Sequence, residues 1–344
     1  MVNIANLLAC PLCKGSLELK VDTEDELGIQ EGELLCQDCH GKYHIREGVL
    51  YLKKDVPVRK NDTGPAWSLK EMEDLYSQTG YYKTAKEFYK RSGYPEIVSE
   101  YDYPKVKGRI LEWLRPRNNN VIVDIGCGVG YFLFEMIKKY PSTKMTLIGL
   151  DVIENRVRFL MQRKKEEGVK NIFGIVGDGM ELPFRNNRID LVTCSEVLEH
   201  IFTPQKAIAE MARILKPGGN LLISTPSKRA EESWDFITAP LRKIKSVTRA
   251  IKGERKEIRK RYYDYPIYSE KLKNYLKSNE CNILKFELNV ILPPQEYFKK
   301  IPNFILKFVV TICKFLECHF KKVLCNRWAL HSVVLSQKEK YHRE

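Results

Sequence analysis

The sequence shows neither a segment typical of secretion nor a cysteine pattern typical of disulfides. The residues before Cys10 are few and include no basic cluster, so we expect no signal peptide. Of the 10 cysteines, four form two C-x-x-C pairs and the other six show no pairing pattern. We therefore expect the chain to work in a reducing cytoplasm. Its 344 residues, 43% of them hydrophobic, allow one large domain with additions.

An excess of positive charge is absent from the first two thirds of the chain. Counting Lys and Arg against Asp and Glu, residues 1–60 carry 8 and 10, residues 61–120 carry 10 and 9, and residues 121–227 carry 14 and 12. Residues 228–344 carry 26 and 13, which is almost the whole net charge of +14. We therefore expect any polyanionic partner, either RNA or an anionic membrane surface, to contact the last third.

Residues 121–130 (VIVDIGCGVG) form a glycine-rich turn that contains no basic residue. An apolar run before the turn predicts a buried strand and the segment after it predicts a helix, so backbone N–H groups converge there. The G-x-G-x-G spacing is weak by itself, because a tight turn without a ligand also uses glycines. Asp124, at the tip of the strand, would repel a pyrophosphate and attract a cation. The lack of Lys and Arg likewise disfavours a phosphate ligand.

Two further carboxylates follow predicted strands. Asp151 ends the apolar run 145–150 and lies 21 residues past Gly130, where an acid can accept hydrogen bonds from both ribose hydroxyls of a nucleoside. Asp178 follows the next strand. Strands alternate with helices through this region, which predicts an α/β fold with a mostly parallel, doubly wound sheet and with sites at the carboxyl ends of its strands.

The two C-x-x-C pairs, Cys10 with Cys13 and Cys36 with Cys39, are separated by 22 residues. Two such pairs make a tetrahedral four-sulfur site for Zn²⁺, and the metal would stabilise a unit too small to bury much core. The surrounding segments, LLACPLCKGSLEL and GELLCQDCHGKYHIREGVLYL, resemble the zinc-ribbon activator subunit of tRNA, rRNA and release-factor methyltransferases. The resemblance covers about residues 6–54 and leaves open whether the ribbon stabilises the chain or recognises a substrate.

Five later motifs, VDIGCGVG, GLD, GDGMELPF, IDLVTCSEVLEHI and LKPGGNLLISTPS, resemble in order and spacing the class I S-adenosylmethionine-dependent methyltransferases. Within them the type 11 group, which includes quinone-biosynthesis O- and C-methyltransferases, is the most similar. The resemblance covers about residues 104–228, with a weaker tail to 336. It implies a Rossmann-like seven-stranded sheet whose last strand is antiparallel, with S-adenosylmethionine as the methyl donor.

The resemblance also implies roles for individual residues. The strand tip and the glycine turn surround the amino-acid tail and the sulfonium, Asp151 takes the ribose hydroxyls, and Asp178 faces the adenine amino group with Met180 beside the ring. The implied cofactor-binding residues are Asp124, Gly126, Cys127, Gly128, Gly130, Asp151, Asp178, Gly179, Met180 and Ser195.

The run from Glu196 to His200 (EVLEH) supplies the candidate catalytic residues Glu196, Glu199 and His200. If the run is helical, these three side chains share a face. His200 is the best candidate for a base that removes a proton from a hydroxyl acceptor, and a structural hydrogen bond is its alternative role. In the quinone O-methyltransferases that this run resembles, it can hold a divalent cation that acidifies a phenol. No N/D-P-P-Y motif follows the fourth strand, so we do not expect methylation of exocyclic amines of bases.

Two basic amphipathic insertions, at 228–263 and 297–326, distinguish the last third. The second has an apolar face that comprises Phe304, Ile305, Phe308, Ile312, Phe315, Phe320 and Leu324. Lysines recur in it every seven residues, at Lys300, Lys307, Lys314 and Lys321. These charges argue against a membrane span and fit a helix lying in a membrane interface. A lid over the acceptor pocket or a dimer face is the alternative.

We therefore predict a zinc-ribbon domain at 1–56, an aromatic-rich linker or cap at 57–103, and a methyltransferase domain with two insertions at 104–344. The predicted reaction is direct displacement of a methyl group onto a small lipophilic acceptor, quinone-like or lipid-like, by O- or C-methylation. We expect a cytoplasmic protein attached peripherally to a membrane. An rRNA or tRNA methyltransferase that uses the ribbon for recognition is the alternative, and a non-catalytic scaffold is a remote one.

Overall fold

The chain is represented here by a computed structural model. The residues that it describes are 4–53, 95–237, 239, 266–292 and 301–340. Most of the predicted linker at 57–103 and most of the predicted insertion at 228–263 lie outside this set, and the domain boundaries stay predictions.

Eleven strands of the described residues form one sheet. In chain order they are β1 (Leu17–Asp25), β2 (Gly28–Cys36), β3 (Lys42–Arg46), β4 (Val49–Tyr51), β5 (Asn120–Ile125), β6 (Met145–Asp151), β7 (Ile172–Val176), β8 (Ile189–Ser195), β9 (Leu215–Pro226), β10 (Cys281–Ile291) and β11 (Ala329–Lys338). Their order across the sheet is β1-β2-β3-β4-β7-β6-β5-β8-β9-β11-β10. The strands from β4 to β9 in that order pair in parallel, and β11 is antiparallel to both of its neighbours.

Helices cover both faces of the sheet. They are α1 (Glu96–Trp113), α2 (Tyr131–Lys139), α3 (Glu154–Glu166), α4 (Pro204–Ile214), α5 (Ser269–Lys277) and α6 (Asn303–Trp328). Because alternate side chains of a strand point to opposite faces, β5 contributes Val121 and Val123 to one core and Ile122 to the other. The first core packs on α4 and α5, and the second on α1 and α2. The doubly wound α/β class is thereby confirmed.

Seven of the strands reproduce the predicted sheet, in the order β7-β6-β5-β8-β9-β11-β10 with β11 reversed. The strand count nevertheless differs from the prediction, because the ribbon is not a separate unit. β4 pairs in parallel with β7, and the Leu52 N–H donates to the Val176 carbonyl at 2.9 Å. A bridge between Leu8 and Phe184 makes a second connection. The ribbon strands thus cover backbone groups that would otherwise lie open on the edge strand β7.

The predicted helix in the second insertion is present as α6, which packs on α1 and β10 through Leu306, Val310 and Cys313. These buried residues are not the apolar face that the sequence predicts. Among the residues that the structure describes, no helix is both long enough and apolar enough to cross a membrane.

Candidate functional site

The predicted glycine turn connects β5 to α2 at the carboxyl edge of the sheet. Gly126, Gly128 and Gly130 have φ values of +69°, +55° and +79°, a region in which other residues are strained. A β-carbon at Gly126 would lie 2.3 Å from Val197 Cγ2, and one at Gly130 would lie 2.2 Å from Leu160 Cδ1. A β-carbon at Gly128 would meet nothing within 4 Å, so the middle of the turn borders open space.

The end of β6 is hydrogen-bonded to this turn. The N–H groups of Gly126 and Cys127 donate to the Leu150 carbonyl at 2.7 and 3.0 Å. Asp151 Oδ2 accepts from the Gly128 N–H at 3.0 Å, and its Oδ1 accepts from the Ile153 N–H at 2.9 Å. Asp151 is buried, with 3% of its surface exposed. The structure therefore brings the first two predicted motifs into direct contact.

Asp124 is buried next to β8 and accepts a hydrogen bond from Thr193 Oγ1 at 2.6 Å. Burial raises the pKa of Asp124 to about 6, although the Thr193 hydrogen bond and the charge of Lys107 oppose the rise. The negative charge of Asp151 adds to it. A cationic group beside Asp124 would offset the cost of its buried charge.

The third predicted motif forms a turn after β7. Asp178 Oδ1 accepts a hydrogen bond from the Met180 N–H at 2.8 Å, and the Asp178 carbonyl accepts one from the Glu181 N–H at 3.0 Å. A β-carbon at Gly179 would lie 3.4 Å from Ile125 Cγ2, at the end of β5. The Asp178 turn therefore lies beside the strand that carries Asp124.

The EVLEH run does not form the predicted helical face. Only Leu198–His200 is helical, as a single 3₁₀ turn, and Glu196 precedes it with φ +57°. Glu199 is fully buried and accepts a hydrogen bond from Thr225 at 3.3 Å, whereas His200 is half-buried at the end of the turn. The expectation of a shared face is wrong because the chain turns sharply after β8 instead of starting an α-helix.

A residue that the sequence analysis missed lies in contact with Glu196. His331, on β11, has its Nδ1 3.0 Å from Glu196 Oε2 and is buried. Ser195 contacts Ser224 through their hydroxyls at 2.8 Å, and the Glu196 N–H donates to the Ser224 carbonyl at 3.0 Å. His331 is 131 residues from His200 in the chain, so no local spacing links it to the site. Its only sequence signal is a polar residue within an apolar strand.

The pKa values of the two glutamates of this cluster are shifted in opposite directions. Burial alone would raise the pKa of Glu196, but the neighbouring His331 and the Ser224 hydrogen bond outweigh it and hold the pKa below its usual value. Burial and the charge of Glu196 raise the pKa of Glu199 well above its usual value. The pKa of Glu196 is therefore shifted down and that of Glu199 up, so that the negative charge is favoured on Glu196 over Glu199.

The four predicted metal ligands come together in the ribbon. Their sulfurs all lie within 4.8 Å of one another, with Cys10 and Cys39 3.6 Å apart and Cys13 and Cys36 3.4 Å apart. Thiolates bound to one tetrahedral Zn²⁺ at about 2.3 Å lie roughly 3.8 Å apart, so the set suits that ion. Within the described ranges no other group of three or more Cys, His, Asp or Glu side chains has this proximity. The geometry thus gives no support to the divalent cation predicted at Glu196, Glu199 and His200.

Comparisons with known proteins assign two regions of the chain. Residues 116–280 match the family of the methyltransferase domain, and residues 4–48 match Trm112p-like proteins. The ubiquinone/menaquinone biosynthesis C-methyltransferase UbiE of Dinoroseobacter shibae is 28% identical over 137 residues, which are 38% of this chain and 54% of that protein. An uncharacterized chloroplastic methyltransferase of Arabidopsis thaliana is 26% identical over 242 residues, 68% of this chain and 65% of that protein.

Among solved structures, the complex of the Haloferax volcanii Trm112 activator with a methyltransferase aligns with a TM-score of 0.47 at 14% identity, over 79% of this chain and 100% of that one. The chain spans about half the length of the first curated relatives that it matches. The chain therefore contains a methyltransferase domain at residues 116–280 and a Trm112p-like domain at residues 4–48.

Proposed function

We propose that the chain transfers a methyl group from S-adenosylmethionine to a small lipophilic acceptor. The observation that carries this proposal is the link between Gly128 and Asp151, which sets a buried carboxylate beside open space at the carboxyl edge of the sheet. Asp124 and Asp178 lie on the neighbouring strand ends. A ligand recognised by three acids and no basic residue of the turn is a cationic nucleoside rather than a phosphate. S-adenosylmethionine would supply an electrophilic methyl group on such a cation.

Each acid has capacity for the role proposed for it. A carboxylate offers about four lone pairs, so Asp151 can accept ribose hydroxyls while it keeps its two backbone N–H bonds. Asp124 would stabilise the sulfonium, and its burial strengthens that attraction. The turn of Asp178, Gly179 and Met180 would bind the adenine. Displacement at the methyl carbon requires mainly that the acceptor approach in line with the methyl–sulfur bond. Positioning of the donor by the glycine turn and the three acids would therefore supply much of the rate enhancement.

The acceptor would approach from the side of β8, β9 and β11. There Glu196, held by His331, is the base that we propose to remove a proton from the acceptor. The proton would pass to the Glu196 carboxylate as the acceptor oxygen or carbon bonds to the methyl group. The methyl–sulfur bond would break in the same step, and its electron pair would leave with S-adenosylhomocysteine. The role of His200 as an alternative base stays a prediction.

The proposal of a lipophilic acceptor is supported by the names of similar proteins and not by the geometry of an acceptor pocket in this chain. The UbiE proteins, at 28–31% identity, are named for C-methylation in ubiquinone and menaquinone biosynthesis, and this chain matches only part of each. O-methylation of a phenol and C-methylation of an activated ring both release a proton. Either reaction is therefore compatible with a base at Glu196.

We also propose that Cys10, Cys13, Cys36 and Cys39 hold a structural Zn²⁺. The Gly15 and Cys39 N–H groups donate to Cys13 and Cys36 sulfurs at 3.4 and 3.5 Å, and such donors stabilise thiolate ligands. The four-sulfur set leaves no open coordination position for a substrate, which is typical of a structural site.

RNA is the second candidate acceptor, and the Trm112p-like match favours it. The charge of the ribbon opposes it, because residues 1–60 carry 8 basic and 10 acidic side chains. Binding of RNA depends on basic groups that neutralise phosphates.

The distribution of a labelled methyl group between lipid and RNA fractions distinguishes the two candidate acceptors. The purified chain is incubated with methyl-labelled S-adenosylmethionine and with lipid, RNA or protein fractions of the host. We expect label in the lipid extract, and less of it at the same donor concentration when Asp151→Asn replaces the wild type. Label confined to RNA would instead establish the second candidate.

The donor site predicts that Asp151→Asn weakens binding of S-adenosylhomocysteine by roughly 10- to 100-fold, since a hydrogen bond to a charged group contributes about 1.5–3 kcal/mol. Calorimetry measures the affinity. Glu154→Gln is the matched control, because Glu154 lies three residues away and contacts Tyr51 instead. Equal affinities of the two variants, with unchanged melting temperatures, would refute the ribose role of Asp151.

The acceptor site predicts a pH effect for His331→Gln. Without the imidazole, burial raises the pKa of Glu196, so a larger fraction of the base is protonated at neutral pH. We expect a lower kcat and an acidic limb shifted to higher pH, with unchanged affinity for S-adenosylhomocysteine. His44→Gln, in the exposed pair of His44 with Glu33, controls for loss of a histidine. An unshifted pH profile of kcat would exclude Glu196 as the base.

The zinc site predicts about one zinc per natively purified chain. Cys36→Ser should lower both the zinc content, measured by elemental analysis, and the melting temperature, because metal binding and folding are coupled. Cys318→Ser, at an exposed cysteine of α6, should change neither. Metal-free wild-type protein that melts at the same temperature as the zinc-loaded form would argue against a structural zinc.

A further inference from the structure

α6 has two apolar stripes, and only one of them is covered. Leu306, Val310 and Cys313 are buried against α1 and β10. On the opposite side, Phe304, Phe308 and Phe315 are 75%, 66% and 55% exposed. Positions i, i+4 and i+11 share one face of an α-helix, so the three rings form a continuous outward ridge. We call this ridge the phenylalanine face of α6.

The phenylalanine face lies on the same side of the molecule as the candidate site. α6 is inserted between the end of β10 and the start of β11, and both points are at the carboxyl edge because β11 is antiparallel to β9. Glu317 of α6 accepts a hydrogen bond from the N–H of Ile291, the last residue of β10. Other exposed apolar residues follow the ends of β8 and β9, namely Phe202, Phe236 and Ile237. Exposed apolar residues therefore occur after three of the strands, β8, β9 and β10, whose ends lie at the edge where the acceptor is proposed to enter.

The charge around this face is of one sign. The sequence of α6 contains five basic residues, Lys307, Lys314, Lys321, Lys322 and Arg327, and one acidic residue, Glu317. Glu317 is buried, with Lys105 Nζ 2.7 Å from its Oε1 and with Tyr101 as a hydrogen-bond donor. The solvent-facing surface of α6 thus carries cations and no carboxylate.

We propose that the phenylalanine face of α6 binds the surface of an anionic lipid bilayer, with the helix lying in the plane of the interface. The phenylalanines would insert among the acyl chains near the headgroups, and Lys307 and Lys314 would contact anionic lipid phosphates. If a second copy of the chain bound to this face, the lysines of its α6 would face the lysines of the first copy and repel them. A nucleic acid would match the charge but would leave the phenylalanines in water. A bilayer of acidic lipid accommodates both features.

This arrangement would set the acceptor side of the site against the bilayer. A lipophilic acceptor could then pass from the membrane to Glu196 without crossing water. That consequence rests on the proposed function, whereas attachment itself does not, because vesicle binding is measured without methyl donor or acceptor.

Vesicle cosedimentation tests the proposal with the full chain. The vesicles are phosphatidylcholine with or without phosphatidylglycerol, and each variant is first checked for native melting and for binding of S-adenosylhomocysteine. The test variant carries Phe304→Ser, Phe308→Ser and Phe315→Ser. The matched control carries Leu12→Ser, Val21→Ser and Leu35→Ser, which replace three exposed apolar residues of the ribbon at the far end of the sheet. A third variant carries Lys307→Gln and Lys314→Gln.

We expect wild type and the ribbon control to bind the phosphatidylglycerol vesicles. The test variant should bind at least about tenfold more weakly, because serine buries far less apolar surface in the bilayer than phenylalanine. The lysine variant should bind more weakly at low salt and resemble wild type at high salt. Absence of wild-type binding, or equal binding by the test variant, would overturn the proposal. So would light scattering that shows a dimer dissociated by the phenylalanine substitutions, because the face would then be covered by a second copy.

Discussion

The glycine turn and the end of β6 are held together by three backbone N–H bonds, and the candidate donor site depends on them. Ile125 pairs with Leu150 in the parallel register, which brings the turn directly over Asp151. The turn can approach so closely only because Gly126, Gly128 and Gly130 adopt left-handed backbone angles. With Asp151 fixed by two N–H donors, its remaining lone pairs point in defined directions. A carboxylate that is oriented before a ligand arrives loses little entropy on binding.

The two additions to the methyltransferase sheet extend it at opposite ends. The ribbon continues the sheet beyond β7, the strand that leads into the Asp178 turn. It therefore extends the side of the sheet that carries the candidate donor site, and it is not a tethered module. Lys14 strengthens the connection through Glu210 at 2.9 Å and the Leu182 carbonyl at 3.1 Å. α6 packs on β10 at the other end of the sheet, next to the side of β8, β9 and β11 that is proposed for the acceptor.

Features that depend on neighbouring residues could be predicted from the sequence. The glycine turn, the acids at strand ends and the paired cysteines are each set by short spacings, and the structure brings the members of each together. Features that depend on contacts between residues far apart in the chain could not be predicted from the sequence. Nothing near Val49 signals that β4 joins a parallel sheet, and nothing near Glu196 signals His331. Periodicity likewise finds apolar stripes on α6 but cannot say which one a neighbouring helix covers.

In the cluster of Glu196, Glu199 and His331, burial raises the pKa of both carboxyl groups, and the neighbouring His331 reverses the shift at Glu196. Two carboxylates in one dry site do not ionise together, because each charge raises the cost of the other. His331 Nδ1 lies 3.0 Å from Glu196 Oε2 and lowers the pKa of that carboxyl group, whereas burial and the charge of Glu196 raise the pKa of Glu199. Water that entered with the acceptor would screen the pair of Glu196 and His331 and weaken it. The exposed apolar residues at the same edge would exclude this water, so the proposed chemistry and the proposed membrane contact require the same surroundings.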